Sequence, residues 1–141
     1  MADITKVYSF ITECMKGTHT QTFLVPGTDT LKFALSNATP VLTWTVLGDI
    51  SAIDANTNSS ETWNMDAVNV AVDSNGTITV SGEDAVLTAT GTVPTFRYIW
   101  LYNDDATDKL IGYWDNGSAV DLTTGQVFTG NLDTDVLVTA S

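Results

Sequence analysis

Four carboxylates, Asp104, Asp105, Asp108 and Asp115, fall around one predicted hairpin. Paired carboxylates perform acid–base chemistry when one is desolvated and its pKa raised while the other stays ionised. The stretch NDDATD offers no apolar neighbour to desolvate either partner, and Asn and Asp favour turns on their own account. The preferred reading is a solvated acidic turn. Oxygen ligands at this spacing also suit calcium. Yet no D-x-[DN]-x-[DN]-G loop with a distal glutamate occurs, and Asp73-Ser74-Asn75-Gly76 has the pattern of a hairpin turn.

Nucleophilic chemistry has little to draw on. Cys14 and His19 are the sole cysteine and histidine, and a Cys–His pair needs hydrogen-bond reach and a third, orienting group. Cys14 fits the apolar stripe of a short predicted helix, where cysteine behaves as a small hydrophobe. One Cys and one His leave a zinc site two ligands short, and a single cysteine excludes an internal disulfide. No G-x-x-x-x-G-K-[ST] or G-x-G-x-x-G cradle for phosphate is present. The N-x-[ST] triplets at Asn37, Asn58, Asn75 and Asn116 are what a chain rich in Asn, Thr and Ser contains by composition. Trp44, Trp63, Trp100 and Trp114, with Tyr98, Tyr102 and Tyr113, could build a sugar-stacking platform. On strands that alternate between faces, core packing is the preferred reading for them. The chain is expected to be no enzyme, with no catalytic residues, cofactor or metal.

The elements that must position these residues are mostly β. Ile4, Val7, Ile11, Cys14 and Met15 recur at helical spacing with Tyr8 beside them. With Asp3 at the N-cap position and Gly17 at the stop, they predict an amphipathic helix over 4–16. The helix belongs to an N-terminal segment, 1–20, ahead of a β domain over 21–141. Runs at 31–36, 41–47 and 61–72 read as strands. A slip in apolar phase between Trp63/Met65 and Val68/Val70/Val72 predicts a bulge near Asp66 and Ala67. Asn75-Gly76 predicts a hairpin joining 68–73 to 77–81. Further strands are expected at 84–90, 96–102 and 109–114. Residues 96–102 are apolar on both faces apart from Arg97, as in a central strand. Asn116-Gly117 then leads to short strands near Val120, 127–129 and 135–139. Residues 48–60, rich in Asn, Thr and Ser, predict a long mobile loop. Some nine short strands predict an all-β fold, an antiparallel β-sandwich of jelly-roll or Ig-like kind with a short N-terminal α-helix.

Composition narrows the function. The 141 residues suit one domain with its own core, and 43% hydrophobic content is too high for a disordered segment. No apolar run approaches the roughly 20 residues of a membrane span, and MADITKVYSF lacks the basic flank and apolar stretch of a secretory signal. Seventeen acidic against five basic residues give a net charge of −12. Such a surface repels phosphate backbones and anionic lipid, so neither nucleic acid nor membrane is an expected partner. The acidic residues are spread singly, as on a solvated folded surface.

Several stretches together carry a resemblance. Helix–KGTH, then TDTLKFALSNATPVLTWTVLGDISAIDA, then FRYIWLYNDDATDKLIGYWDNGSAVDLTTGQVFTGNL, resemble a family of small virion structural proteins of tailed bacteriophages. The matching elements lie at 29–35, 96–104, 110–118 and 124–128, and the resemblance covers nearly the whole chain. Family members often carry a Gly-Tyr-Thr-Ala-Gly-Gly turn, whose place is taken here by 56–65. The resemblance implies a capsid decoration (cement) protein on the outer surface of the virion, bound to the major capsid protein. It would act as a homo-oligomer, with a trimer favoured. The alternative is a tail or head-fibre component that binds host carbohydrate through the aromatics. No catalytic residues come with the resemblance.

Overall fold

The computed structural model describes residues 4–10, 30–53, 62–64, 69–72, 77–105, 107–130 and 136–139. Among these residues ten strands appear in chain order: β1 (Thr5–Lys6), β2 (Leu31–Ser36), β3 (Thr62–Asn64), β4 (Asn69–Val72), β5 (Thr77–Ser81), β6 (Ala85–Thr88), β7 (Val93–Asn103), β8 (Lys109–Leu122), β9 (Val127–Gly130) and β10 (Val136–Thr139). They form a five-stranded sheet in the order β1-β8-β7-β2-β3, a three-stranded sheet β10-β5-β4 and a two-stranded ribbon β6-β9. Every strand pairing among the described residues is antiparallel, and strand dominates them, so the fold is all-β.

The largest sheet is built on β7, whose residues Tyr98 to Asn103 are all buried. Residues opposite one another in antiparallel strands share a face. Leu35, Ile99 and Trp114 therefore line one face, and Ala34, Trp100 and Tyr113 the other. The β6–β9 ribbon covers the first face. Phe128 meets Phe96 edge-on at 5.1 Å, and a Cβ on Gly130 would stand 3.2 Å from Ile99 Cδ1. Residues 38–53 lie over the second face. Trp44 packs on Trp100, Ile50 is fully buried, and Ser36 Oγ donates to the Ile50 carbonyl at 2.5 Å. With a cover on each side, β7 must be apolar in both phases.

Several expectations need correction. Thr5 and Lys6 are not helical but pair with Tyr113 and Gly112 as the edge strand β1, and helical geometry begins only at Tyr8. Gly112 makes this possible, since a Cβ there would come within 2.5 Å of the Thr5 carbonyl oxygen. Val7 and Phe10 are buried in the core; Ile11, Cys14 and Met15 lie outside the described residues. The stretch 41–47 is not a strand. Its Trp44 N–H bonds back to the Val41 carbonyl in a turn, and only Val46 bridges to Lys109. Its apolar residues serve as a cover. A 3-10 turn at Leu47–Asp49 follows, and Ile53 N–H donates to Leu35 O, so 48–53 is anchored to the core and not a free loop. Residues 54–60 lie outside the described residues.

The stretch 61–72 divides between two sheets, β3 pairing with β2 and β4 with β5. Residues 62–64 and 69–72 thus belong to different sheets, and the bulge expected near Asp66 and Ala67 lies outside the described residues. The β4–β5 hairpin forms as expected, with its turn at 73–76 outside them. Asn116-Gly117 does not end a strand either. It sits inside β8, where Phe96 faces Val120 and Tyr98 faces Asp115, so the extra β8 residues bulge out of the ladder with Gly117 at φ +81°.

Candidate functional site

The functional candidates sit at two places along the β7–β8 hairpin. At its tip is the acidic turn. The Asp105 carboxylate accepts the Thr30 N–H at 2.6 Å, Asp104 N–H donates to the Thr30 carbonyl at 3.1 Å, and Lys32 Nζ reaches Asp104 Oδ2 at 2.8 Å. Buried Asn103 accepts the Asp105 N–H through its side-chain oxygen at 3.1 Å. Asp108 is tied through its carbonyl, which accepts the Leu47 N–H at 2.9 Å. The turn therefore staples the start of β2 and the 38–53 cover to the hairpin.

Burial holds the Asp108 carboxyl above the ordinary carboxylate range. The Asp104 charge and a hydrogen bond with Asp104 add to this, while Lys32 opposes it. Nothing in the NDDATD stretch itself signals this burial. Thr107 and Asp108 both adopt left-handed backbone, at φ +57° each. That conformation is uncommon for aspartate and an outlier for β-branched threonine.

Asp115 does not join the other three carboxylates. It faces Tyr98, five β7 residues from the Asn103–Lys109 pair, or roughly 17 Å along the strand. Its partner is Arg97, whose Nε donates to Oδ1 at 2.7 Å and Nη2 to Oδ2 at 2.8 Å. These bonds hold the Asp115 carboxyl below the ordinary range, with the Gly117 N–H helping. Arg97 Cζ also stands 5.4 Å from the Tyr98 ring centroid. The two side chains are 40% and 39% exposed, so solvent screening keeps the pair weak despite its two-point geometry. A lone cation in an otherwise apolar strand was the signal in the sequence; its partner was not legible there.

Asp49 is a second low carboxyl, held down by the N–H groups of Thr45 and Val46 at 2.9 and 3.1 Å. Asp49 and Asp115 contribute stability at neutral pH that is lost as pH falls below about 3.9. Asp108 works in the opposite sense. Its contribution is full below that value and is lost as pH rises through it to the raised folded pKa.

The aromatic residues pack. Trp100, Trp114, Tyr102 and Tyr98 are buried. Trp100 lies between Trp44 and Tyr113, with ring centroids at 5.8 and 4.9 Å, and Phe33 meets Trp114 at 6.2 Å. These rings form the core of the sheet, not an open platform; the side chain of Trp63 lies outside the described residues. Trp100 Nε1 is buried without a hydrogen-bond partner among them, at a cost of about 1–3 kcal/mol. No group of three or more Asp, Glu, His or Cys stands close enough to hold a metal ion among the described residues. Cys14, His19 and Asp73 lie outside those residues. No protein-family model, curated protein or solved structure matches the chain. The arrangement itself uses its charged groups to pin strands and turns together.

Proposed function

We propose that this protein is a decoration (cement) protein of a tailed bacteriophage, bound to the major capsid protein on the outer surface of the head as a small symmetric homo-oligomer, with a trimer favoured. The observation that carries the reading is where the family-like segments fall. Those at 29–35, 96–104 and 110–118 supply β2, most of β7 and much of β8, three adjacent strands of one sheet, and the one at 124–128 leads into β9, whose Phe128 packs on Phe96 of that sheet. The resemblance thus follows a packed unit rather than scattered positions. One property agrees with an outer position. A net charge of −12 is repelled by packaged DNA. A ligand that binds only the assembled lattice stabilises it by mass action against internal pressure, with no chemistry required.

The test is co-sedimentation of the purified protein with expanded, DNA-free heads and with unexpanded proheads of the phage that encodes it. Saturable binding to expanded heads, at a stoichiometry matching a set of lattice symmetry axes, is the expected result. Absence of binding to both shells overturns the reading.

A further inference from the structure

We propose that Asn116 is a latent deamidation site held inactive by the Arg97–Asp115 ion pair. Asparagine followed by glycine is prone to this reaction, because glycine places no side chain in the way of its own nitrogen. The Gly117 nitrogen bonds to the side-chain carbonyl carbon of Asn116. The bond from that carbon to the amide nitrogen breaks, and ammonia leaves carrying the proton lost by Gly117. Water then opens the cyclic imide at one of its two carbonyls, giving aspartate or isoaspartate.

Both reacting groups are restrained in this fold. The Gly117 N–H donates to Asp115 Oδ1 at 2.8 Å. That same oxygen accepts Arg97 Nε at 2.7 Å, while Asp115 Oδ2 accepts Arg97 Nη2 at 2.8 Å. The acceptor holding the nucleophile is therefore itself held at two points. The amide under attack is turned toward the following residues, since Asn116 Nδ2 donates to the Ser118 carbonyl at 3.0 Å. Attack requires Gly117 N–H to leave Asp115 first, and Asp115 cannot follow it while Arg97 grips both oxygens. Arg97 also keeps the carboxylate a weak base, so Asp115 holds the Gly117 proton without removing it. Arg97 is a guarding residue here, acting through Asp115.

The bulge gives the reaction a structural consequence. Residues 116–119 lie between the Tyr98–Asp115 and Phe96–Val120 pairs, where β8 realigns with β7. An aspartate at 116 would lose the bond that the amide nitrogen makes to the Ser118 carbonyl, and an isoaspartate would lengthen the main chain inside the bulge.

The experiment incubates the full-length protein at mildly alkaline pH, folded in buffer and unfolded in urea, and follows residue 116 by peptide mapping and isoaspartate-specific methylation. Asn116 should deamidate at least about tenfold more slowly in the folded protein, because a local opening must come first. Arg97→Met should recover most of that difference while circular dichroism stays β-rich. Asp115→Ala, which removes the acceptor itself, is the second variant should Arg97→Met fail to fold. Equal rates in buffer and urea overturn the proposal. So does a folded variant of either kind in which Asn116 reacts as slowly as in the wild type.

Discussion

At the scale of single residues, the charged side chains matter through the backbone groups and neighbours they satisfy. Asp105 caps Thr30, Asp49 caps Thr45 and Val46, and Asp115 receives Arg97 and Gly117. Asp108 is the exception, a partly buried carboxyl beside the Asp104 charge. Asparagine at this position keeps a donor toward Asp104, tolerates the left-handed backbone and removes the buried charge. Asp108→Asn should therefore stabilise the protein by about 0.5–1 kcal/mol at pH 7. The gain should vanish below about pH 3.9, where the wild-type carboxyl is already protonated. Urea midpoints at the two pH values check this, and an equal shift at both would show that charge is not the cause.

At the scale of elements, β1 rests on a single close approach. The Thr5 carbonyl fits against β8 only because residue 112 has no side chain. Gly112→Ala should displace β1 and leave β2, β7 and β8 paired, at a cost of about 1–3 kcal/mol. Hydrogen exchange reads this directly. The amides of Val7, bonded to Ile111 O, and Tyr8, bonded to Leu42 O, should lose protection while those of β7 keep theirs. Uniform loss across the sheet would make β1 part of the cooperative core. The same strand shows why local pattern failed at 4–7. Ile4, Val7 and Ile11 are three and four residues apart, which suits a helix, but the geometry of Thr5 and Lys6 is set by a glycine more than 100 positions away.

At the scale of the whole molecule, the dominant property is charge. Seventeen carboxylates against five basic side chains repel one another in the compact state. Added salt should therefore raise the stability at pH 7, read from the urea midpoint, by on the order of 0.5 kcal/mol, even as it weakens exposed pairs such as Arg97–Asp115. A fall in the midpoint would mean that the ion pairs outweigh the repulsion. The same charge underlies the proposed position outside the head, and the co-sedimentation result bears on that position independently of the deamidation chemistry.

Local chemistry was enough to settle the strands of β2, β7, β6 and β9, the β4–β5 hairpin and the packing role of Trp100 and Trp114. In each case a period of two, an Asn–Gly pair or a run apolar in both phases states the backbone's preference within a few residues. The partners of the polar groups were out of reach. Thr30 meets Asp105 across 75 positions and Lys32 meets Asp104 across 72, so nothing near either residue records the pairing. Tertiary contacts likewise turned 41–47 from a strand into a cover over Trp100, and Asn116-Gly117 from a turn into a bulge. Apolarity tells a segment to be buried. Which surface is left to bury it against depends on the sheet that the rest of the chain has already formed.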